Sequence, residues 1–295
     1  MTQKMNIFDY LIYLVLLAIA CLTLYPFLNA LAISLNDAND TVRGGITLFP
    51  RKFTLANYQV IFSDGSLKFA YVISVARTVI GTITGVLFTA LVSYGMSRDN
   101  LIGRKFYMKF FVITMYVSGG LIPYYMMVRW LGLINSFLVY IIPLMFSVWN
   151  MIIMRTYFAN SIPAALEESA FIDGANYYTI FFKIILPCST PILATMILFT
   201  GVLQWNSWFD AAIFVTDKNL LPVQNVLISI INSNRFEEAM KNVGHAATVL
   251  SRTQKISVRS ITMATMVSTI LPIVAVYPFV QNYFVKGIMI GAVKG

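Results

Sequence analysis

Six long apolar segments dominate this sequence and constrain its fold more than any other feature. Each is near or above about 20 residues, the length that an α-helix needs to cross the hydrocarbon core of a bilayer. Lipid offers no partner for an unpaired backbone group, so such segments are expected to be helical. They cover residues 11–33, 69–96, 108–128, 137–154, 191–215 and 261–284. We therefore predict an all-α, polytopic membrane protein with six transmembrane helices.

Composition agrees with lipid as the main solvent. Of the 295 residues, 58% are hydrophobic and 11% are charged, whereas soluble domains have about 45–50% and about 25%. The first apolar segment is longer than the 7–15 residues that are typical of a signal-peptide core, which predicts an uncleaved first helix. We expect one membrane domain over residues 1–295. It would have outer loops at about 35–68 and 216–260 and a cytoplasmic loop at about 158–190.

Charge and the rare residue types exclude several classes of site. The net charge is +9, but the basic residues lie between apolar segments without interleaved aromatic residues, so a nucleic-acid partner is not expected. His245 is the only histidine, and Cys21 and Cys188 lack metal or redox spacing. The chain has no glycine-rich phosphate loop that ends in Lys-Ser or Lys-Thr. We expect neither a bound metal nor bound ATP on this chain.

The segment at about 158–190 has an unusual pattern for a polar loop. Pro163 can begin a helix, since its missing N–H is not needed in the first turn, and Gly174 can bend the chain. Apolar residues then recur at helical spacing until Pro187 ends the helix. These residues are Tyr177, Ile180, Phe181 and Ile184. Two interpretations stay open, namely a helix in the membrane interface and a docking site for another protein.

The same segment resembles the EAA loop of bacterial ABC importer permeases. That motif reads Glu-Ala-Ala, three residues, Gly, nine residues and Ile-x-Leu-Pro. This chain has Glu168-Ser169-Ala170, then Gly174, then Ile184-Ile185-Leu186-Pro187. Ser169 replaces one small residue by another, and every other fixed position matches.

The resemblance extends over nearly the whole chain. Residues 277–295 are similar to the tail of the maltose-type G subunits, with Asn282 where arginine is common. Residues 53–58 and 205–208 resemble the first outer loop and the fifth span of that family. Residues 118–123 are similar to the subgroup that imports complex oligosaccharides, including alginate. The resemblance implies the type I ABC importer permease fold.

Such a family membership implies a set of partners. The EAA loop would form a coupling helix that docks into a groove on an ATPase subunit. ATP and Mg²⁺ would be held by two ATPase subunits, whose closure switches the pathway between inward-facing and outward-facing states. The other implied partners are a second permease subunit in a heterodimer, an extracytoplasmic sugar-binding protein and the oligosaccharide. The chain itself would be no enzyme, and would span the bacterial inner membrane with both termini in the cytoplasm.

The resemblance also assigns roles to residues. Glu168 would be a charged anchor, and Phe171 and Ile172 would fill the groove. The coupling candidates are Glu168, Ser169, Ala170, Phe171, Ile172, Asp173, Gly174, Leu186 and Pro187. Of these, Ala170 and Gly174 would permit close docking. A further contact is assigned to the tail, at Lys294 and Gly295.

Polar and aromatic residues within the apolar segments are candidates for a sugar pathway. Sugars stack on aromatic rings and need hydrogen-bond partners, and an intramembrane polar residue is a functional hypothesis by default. The candidates are Arg77, Asn150, Gln204, Trp205 and Asn206. A hydrogen bond between helices would explain each of them equally well.

Three other functions compete with the importer. Ion-coupled transporters place ionisable residues at mid-membrane, but Asp9 and Asp210 lie at segment edges. A membrane enzyme would need a catalytic arrangement within the segments, and we find none in the sequence. A non-transporting assembly subunit is the third alternative.

Among substrates, an acidic oligosaccharide such as a uronide and a neutral one stay equally open. The outer segments carry more Lys and Arg than Asp and Glu, which attracts anions.

We predict that a reporter fused after Gly295 is active only if it works in the cytoplasm. An even number of spans puts both termini on one side of the membrane, and the short basic loop around Arg98, Arg104 and Lys105 favours the cytoplasmic side. The EAA resemblance, which implies a cytoplasmic loop at about 158–190, decides this orientation. The measurement compares alkaline phosphatase and β-lactamase fusions with a cytoplasmic fluorescent reporter at the same position. Activity of a periplasm-only reporter there would contradict this topology.

Overall fold

The computed structural model describes residues 7–63, 65–232 and 258–292. Within these ranges the chain forms helices, turns and loops, with one isolated β-bridge between Asn36 and Phe53 and no strand. The all-α prediction is confirmed. The main helices are α1 Ile7–Ser34, α2 Ala56–Ser63, α3 Gly65–Ser97, α4 Arg104–Tyr116, α5 Leu121–Trp130, α6 Val148–Ser161, α7 Ala164–Ile172, α8 Tyr177–Cys188, α9 Thr190–Asn206, α10 Phe209–Phe214, α11 Val223–Asn232 and α12 Val258–Ala292. Shorter helical turns lie at Ala38–Thr41, Phe137–Tyr140 and Lys218–Leu220.

The chain divides into two compact units, and the first contains residues 1–68 and 226–272. Its helix α1 exposes apolar side chains along almost its whole length, and only its last turn has buried ones, at Ala30, Ala32, Ile33 and Ser34. Such an exposed apolar surface is typical of a helix that faces lipid or another subunit. The mean hydropathy of α1 over 18 residues is 2.4, the highest of the three continuous candidate spans in the described residues.

The segment that follows α1 is held by one buried side chain, Asn36. Its Nδ2 donates to Asp40 Oδ2 and Thr41 Oγ1, and its Oδ1 accepts from the Lys52 N–H at 2.8 Å. Arg51 Nε also donates to Asp40, at 2.9 Å. The hydrogen bonds from Asn36 and Arg51 hold the pKa of the Asp40 carboxyl below its usual range. The predicted outer loop at 35–68 is thus a folded segment, and most of the one at 216–260 lies outside the described residues.

The second unit contains residues 69–225 and 273–295, and broken helices characterise it. The apolar segment predicted at 108–128 forms two helices, α4 and α5, which meet at an angle of 117°. Ser118, Gly119 and Gly120 make the break. Gly120 has φ +81° and ψ −178°, a backbone conformation that is almost restricted to glycine. The third predicted span is therefore a bent pair of helices.

The fourth predicted span, residues 137–154, is not one continuous helix. A helical turn at Phe137–Tyr140 is followed by irregular backbone, and α6 begins only at Val148. Pro143 lies in the irregular part, and proline has no N–H for a helical hydrogen bond. The carbonyl of Tyr140 instead accepts from Gln204 Nε2 at 3.2 Å. A side chain thus satisfies a backbone group that the interrupted helix leaves free.

The fifth predicted span also stops early, since α9 ends at Asn206 and the chain turns before α10. In the described residues, three helices are long and apolar enough to cross a membrane, and five if each of two bent pairs is counted as one span. These bent pairs are α4 with α5 and α8 with α9, and the second bends by 85°. The prediction of six spans is therefore not confirmed.

Two glycines bring α3 close to its neighbours in the second unit. A Cβ at Gly81 would lie 2.5 Å from Gln204 Nε2, and one at Gly85 would lie 3.6 Å from Thr200. Across the contact, a Cβ at Gly201 would lie 3.5 Å from Thr82 Oγ1. Small residues four positions apart commonly let membrane helices approach in this way. The α3–α9 contact positions the polar residues described below.

Candidate functional site

The segment that matches the EAA pattern forms two helices joined at a glycine, as predicted. Helix α7 begins after Pro163, and Gly174 has φ +82°, which favours glycine. The Gly174 N–H donates to the carbonyl of Phe171, and the Ala175 N–H donates to that of Ala170. These two bonds are those of a Schellman motif, in which a left-handed residue ends a helix. The backbone conformation of the turn thus accounts for a glycine at this position.

One face of this segment packs into the core of the second unit. The buried residues of this core cluster are Val86, Ala90, Tyr94, Met154, Phe158, Ile162, Ala170, Ile180, Phe181, Ile185 and Met196. They come from α3, α6, α7, α8 and α9. Leu186 is half-buried against the cluster, and Pro187 is exposed. The small side chain of Ala170 therefore permits a close approach to the chain's own core.

The opposite face of α7 is exposed and partly apolar. Ile172 is 87% exposed, and the ring of Phe171 meets that of Tyr177 edge to face at 4.9 Å. Four further coupling candidates in α7 and directly after it are also exposed, namely Glu168, Ser169, Asp173 and Gly174. An exposed apolar patch beside charged residues is typical of a surface that binds another protein.

A buried ion pair joins α7 to the end of α3, and sequence reasoning missed it. Glu167 Oε1 lies 2.5 Å from Arg98 Nη1, and Tyr94 Oη donates to Glu167 Oε2 at 3.4 Å. Burial raises the pKa of Glu167, while Arg98 acts in the opposite direction. Helical spacing was an available signal for which of the two acids is buried, although not for its partner. Glu167 is three residues before the buried Ala170, whereas Glu168 is four residues before the exposed Ile172.

A second buried polar cluster surrounds Arg77 in the middle of α3. The side chain of Arg77 is fully buried, and its guanidinium stacks on the ring of Tyr140 at 4.4 Å. Its Nη1 donates to the carbonyl of Ser207 at 3.0 Å, and its Nε and Nη2 donate to Gln204 Oε1 at 3.4 and 3.3 Å. Nη2 also lies 3.5 Å from Asp210 Oδ2. The arginine thus bridges the break between α9 and α10.

The sequence candidates for a sugar pathway occupy different environments. Arg77 and Gln204 lie together in the buried cluster, and Trp205 is buried as well. Asn150 is half-buried near the start of α6, where its N–H donates to Ser147 Oγ at 3.3 Å. Asn206 is exposed, and its Nδ2 donates to the carbonyl of Val202. Lys294 and Gly295, the candidates for a tail contact, lie outside the described residues.

An open cavity of about 530 Å³ lies at the bend between α4 and α5. Its lining consists of Ser118, Gly119, Gly120, Leu121, Pro123, Tyr124, Met127 and Phe209. Two aromatic rings and the non-helical backbone of the bend therefore meet in one place. Rings supply stacking surfaces, and polar backbone groups can fix an orientation, which is the usual composition of a small-molecule site. Sequence analysis gave residues 118–123 only as a resemblance to a subgroup of importers, and neither they nor Tyr124 and Phe209 were among the sequence candidates.

Comparison with known proteins shows the family. The chain is 39% identical over 294 residues to the polygalacturonan/rhamnogalacturonan transport system permease protein YtcP of Bacillus subtilis (strain 168), with 99% of this chain and 100% of that protein covered. The chain belongs to the permeases of carbohydrate ABC importers. Another relative of this importer permease, protein LplC of the same organism, is 33% identical over 296 residues and covers 100% of this chain and 97% of LplC.

A solved structure supports both the family and the fold of the permease. The crystal structure of a bacterial ABC transporter involved in the import of the acidic polysaccharide alginate matches with a TM-score of 0.84 and 28% sequence identity. The match covers 96% of this chain and 100% of that one. No family model matches the chain. The resemblance drawn from the sequence is thus confirmed, and the ion-coupled transporter, the membrane enzyme and the assembly subunit are not favoured.

We predict that Gly81→Ala destabilises the permease. The added methyl group would displace the Gln204 side chain and break its bonds to Arg77 and Tyr140, at a cost of about 1–3 kcal/mol. The matched control is Gly95→Ala in the same helix, because a Cβ at Gly95 meets nothing within 4 Å. Thermal unfolding of both variants in detergent gives the comparison. Equal stability of Gly81→Ala and Gly95→Ala would contradict the proposed close contact.

Proposed function

We propose that this permease forms one half of the translocation pathway of an ATP-driven oligosaccharide importer and is coupled to a separate ATPase through α7 and α8. The observation that supports this proposal is that α7 and α8 have one buried face and one exposed face. Its inner face is buried against α3 and α6, while Phe171 and Ile172 are exposed. The two-faced segment can therefore pass movement at an exposed docking surface to the spans.

The docking surface on α7 has the composition of a protein interface. Phe171 and Ile172 supply apolar area that would enter a groove, and Glu168 supplies a charge at its edge. Leu186 and Pro187 lie near the end of α8, which leads into α9. We assign them the role of connecting the docking surface to that helix. The tail residues Lys294 and Gly295 are proposed to add a second contact with the ATPase.

The proposed assembly contains five kinds of component. A second permease subunit completes the pathway as a heterodimer, and two ATPase subunits bind ATP and Mg²⁺, so this chain binds no cofactor. An extracytoplasmic binding protein delivers the oligosaccharide. The permease is a single membrane domain over residues 1–295 in a bacterial inner membrane, with both termini in the cytoplasm. Nucleotide on the ATPase biases the two states of the pathway through α7.

We predict that Gly174→Val strongly reduces transport while the permease still inserts into the membrane. A β-branched residue at φ +82° strains the turn that joins α7 to α8. The measurements are sugar uptake and the amount of ATPase that co-purifies with the permease. Full transport by Gly174→Val would remove the role of this glycine in coupling.

A comparison of Gly174→Asn with Gly174→Ala separates two physical reasons for the glycine. Asparagine tolerates the left-handed region better than alanine, whose strain there is about 1–2 kcal/mol. We expect the asparagine variant to retain more transport, because a Cβ at Gly174 meets nothing within 4 Å in this chain. If the alanine variant retained more transport than the asparagine variant, the size of the residue at the ATPase contact would determine the loss of transport.

The proposed sugar contact is the cavity at the bend between α4 and α5. Tyr124 and Phe209 offer rings on which a sugar can stack. Asn150, Trp205 and Asn206 stay candidates for other parts of the pathway. Arg77 and Gln204 instead bond to one another and to nearby groups, and Asp210 neutralises the arginine in this conformation. We therefore assign Arg77 and Gln204 the role of holding the lining in place.

We propose an acidic oligosaccharide as the substrate. The relative YtcP is named for polygalacturonan and rhamnogalacturonan, and the solved relative takes part in the import of the acidic polysaccharide alginate. Excess positive charge on the outer segments would also raise the local concentration of an anionic ligand. A neutral oligosaccharide is the alternative, because those charges would equally suit an acidic binding protein.

We predict that uronide oligosaccharides stimulate the ATPase activity of the reconstituted complex by about fivefold or more, the lower range of coupling between sites. The complex contains the permease pair, the ATPase and the binding protein in lipid vesicles. Neutral oligosaccharides of equal length are the control, and binding protein without sugar gives the baseline. Stimulation by the neutral series alone would overturn the acidic substrate and leave the coupling through α7 intact.

A further inference from the structure

The carboxylate of Glu167 is buried, although it lies beside the exposed Glu168 on α7. The Glu167 side chain is 7% exposed and that of its partner Arg98 is 18% exposed. Their closest atoms, Oε1 and Nη1, are 2.5 Å apart. An exposed ion pair contributes little, whereas separation of a buried one leaves an uncompensated charge, so this pair ties two parts of the chain together.

The Arg98 end of the link is fixed to the end of α3. Arg98 follows Ser97, the last residue of that helix, and its Nε donates to Ser97 Oγ at 3.0 Å. Ser97 Oγ in turn donates to the carbonyl of Tyr94 at 2.6 Å. The guanidinium also stacks over the ring of Tyr94 at 4.9 Å. Arg98 is thus held in orientation by the last turn of α3.

Tyr94 connects the same point to both helices of the coupling segment. Its hydroxyl donates to Glu167 in α7, and its ring lies 5.6 Å from that of Phe181 in α8. A neighbouring contact runs from Asn100 Nδ2 to Tyr177 Oη at 3.1 Å. The end of α3 and the residues directly after it therefore contact α7 through a hydrogen bond and α8 through a ring contact and a second hydrogen bond.

The link lies at one end of the helix that carries Arg77. The two arginines are 21 residues apart in the sequence, which is about 30 Å along an α-helix. Arg77 bonds to the break between α9 and α10, so α3 joins the coupling segment to the broken part of the second unit. If α7 moved and displaced Arg98, α3 would therefore transmit that movement to the break between α9 and α10.

We propose that Arg98 and Glu167 are positioning residues that make α7 and α3 move together, so that movement of the docking surface reaches the Arg77 cluster. This inference rests on the proposed coupling through α7. It differs from a purely structural role, in which the pair would serve folding or assembly and its loss would lower the amount of complex.

The test measures sugar transported per ATP hydrolysed in the full complex. The variants are Glu167→Gln, Arg98→Gln and the reversed pair Arg98→Glu with Glu167→Arg. We expect each single variant to lower that ratio by about tenfold, within the usual range of coupling between sites, with the wild-type amount of ATPase still in the purified complex. The reversed pair should recover most of the ratio, because it restores opposite charges at the same two positions.

The matched control is Asp99→Asn. Asp99 pairs with Arg104 at the start of α4, but its side chain is 97% exposed, and we expect its loss to leave the ratio unchanged. An unchanged ratio in Glu167→Gln would overturn the proposal, as would a reversed pair no better than the single variants. Loss of the ATPase or of the permease from the membrane in both single variants would assign the pair to assembly instead. If the wild-type permease bound no ATPase, the coupling through α7 itself would fail.

Discussion

Lipid cannot satisfy free backbone groups, and the interior of the second unit follows from this constraint. The chain interrupts its apolar helices at residues 141–147 and at Ser207 and Trp208, and each break leaves carbonyl groups without helical donors. Gln204 donates to the carbonyl of Tyr140, and Arg77 donates to that of Ser207. Without these two side chains the breaks would cost several kcal/mol for each unsatisfied group.

The polar side chains depend in turn on a glycine. Gly81 lets α3 approach α9 so closely that any side chain would meet Gln204. At Gly85 the approach is less tight, since a Cβ there would lie in ordinary van der Waals contact with Thr200 and with the carbonyls of Leu144 and Met145. Three features therefore depend on one another, namely the contact between small residues, the irregular segment and the buried arginine. A broken helix is tolerated here because close packing brings donors to its free carbonyls.

The sequence predicted the two helices on either side of Gly174 better than it predicted the spans. Proline, glycine and the apolar period indicated two helices joined at Gly174, because local backbone preferences decide these features. Hydropathy failed at residues 137–154, since it measures transfer to lipid and contains no term for Pro143 or for a hydrogen bond from Gln204, which is 64 residues away from Tyr140 in the sequence. The EAA resemblance drew attention to Glu168, whereas the buried acid is its neighbour Glu167. The pairing with Arg98 depends on how α7 packs against α3, and no single-sequence pattern contains that information.

Arg77 shows why a charged residue within an apolar segment is a poor guide to the substrate of a membrane protein. An arginine in an apolar segment suggests a partner for an anionic sugar, but a buried guanidinium must first satisfy its own five donors. Here the Ser207 carbonyl, Gln204 and Asp210 accept four hydrogen bonds from the guanidinium, and Tyr140 covers one face. Lysine has a single ammonium group and lacks the planar fork that reaches several acceptors at once. The side chain is therefore explained by the break that it bridges, and its fully buried guanidinium is not open to a sugar in this conformation.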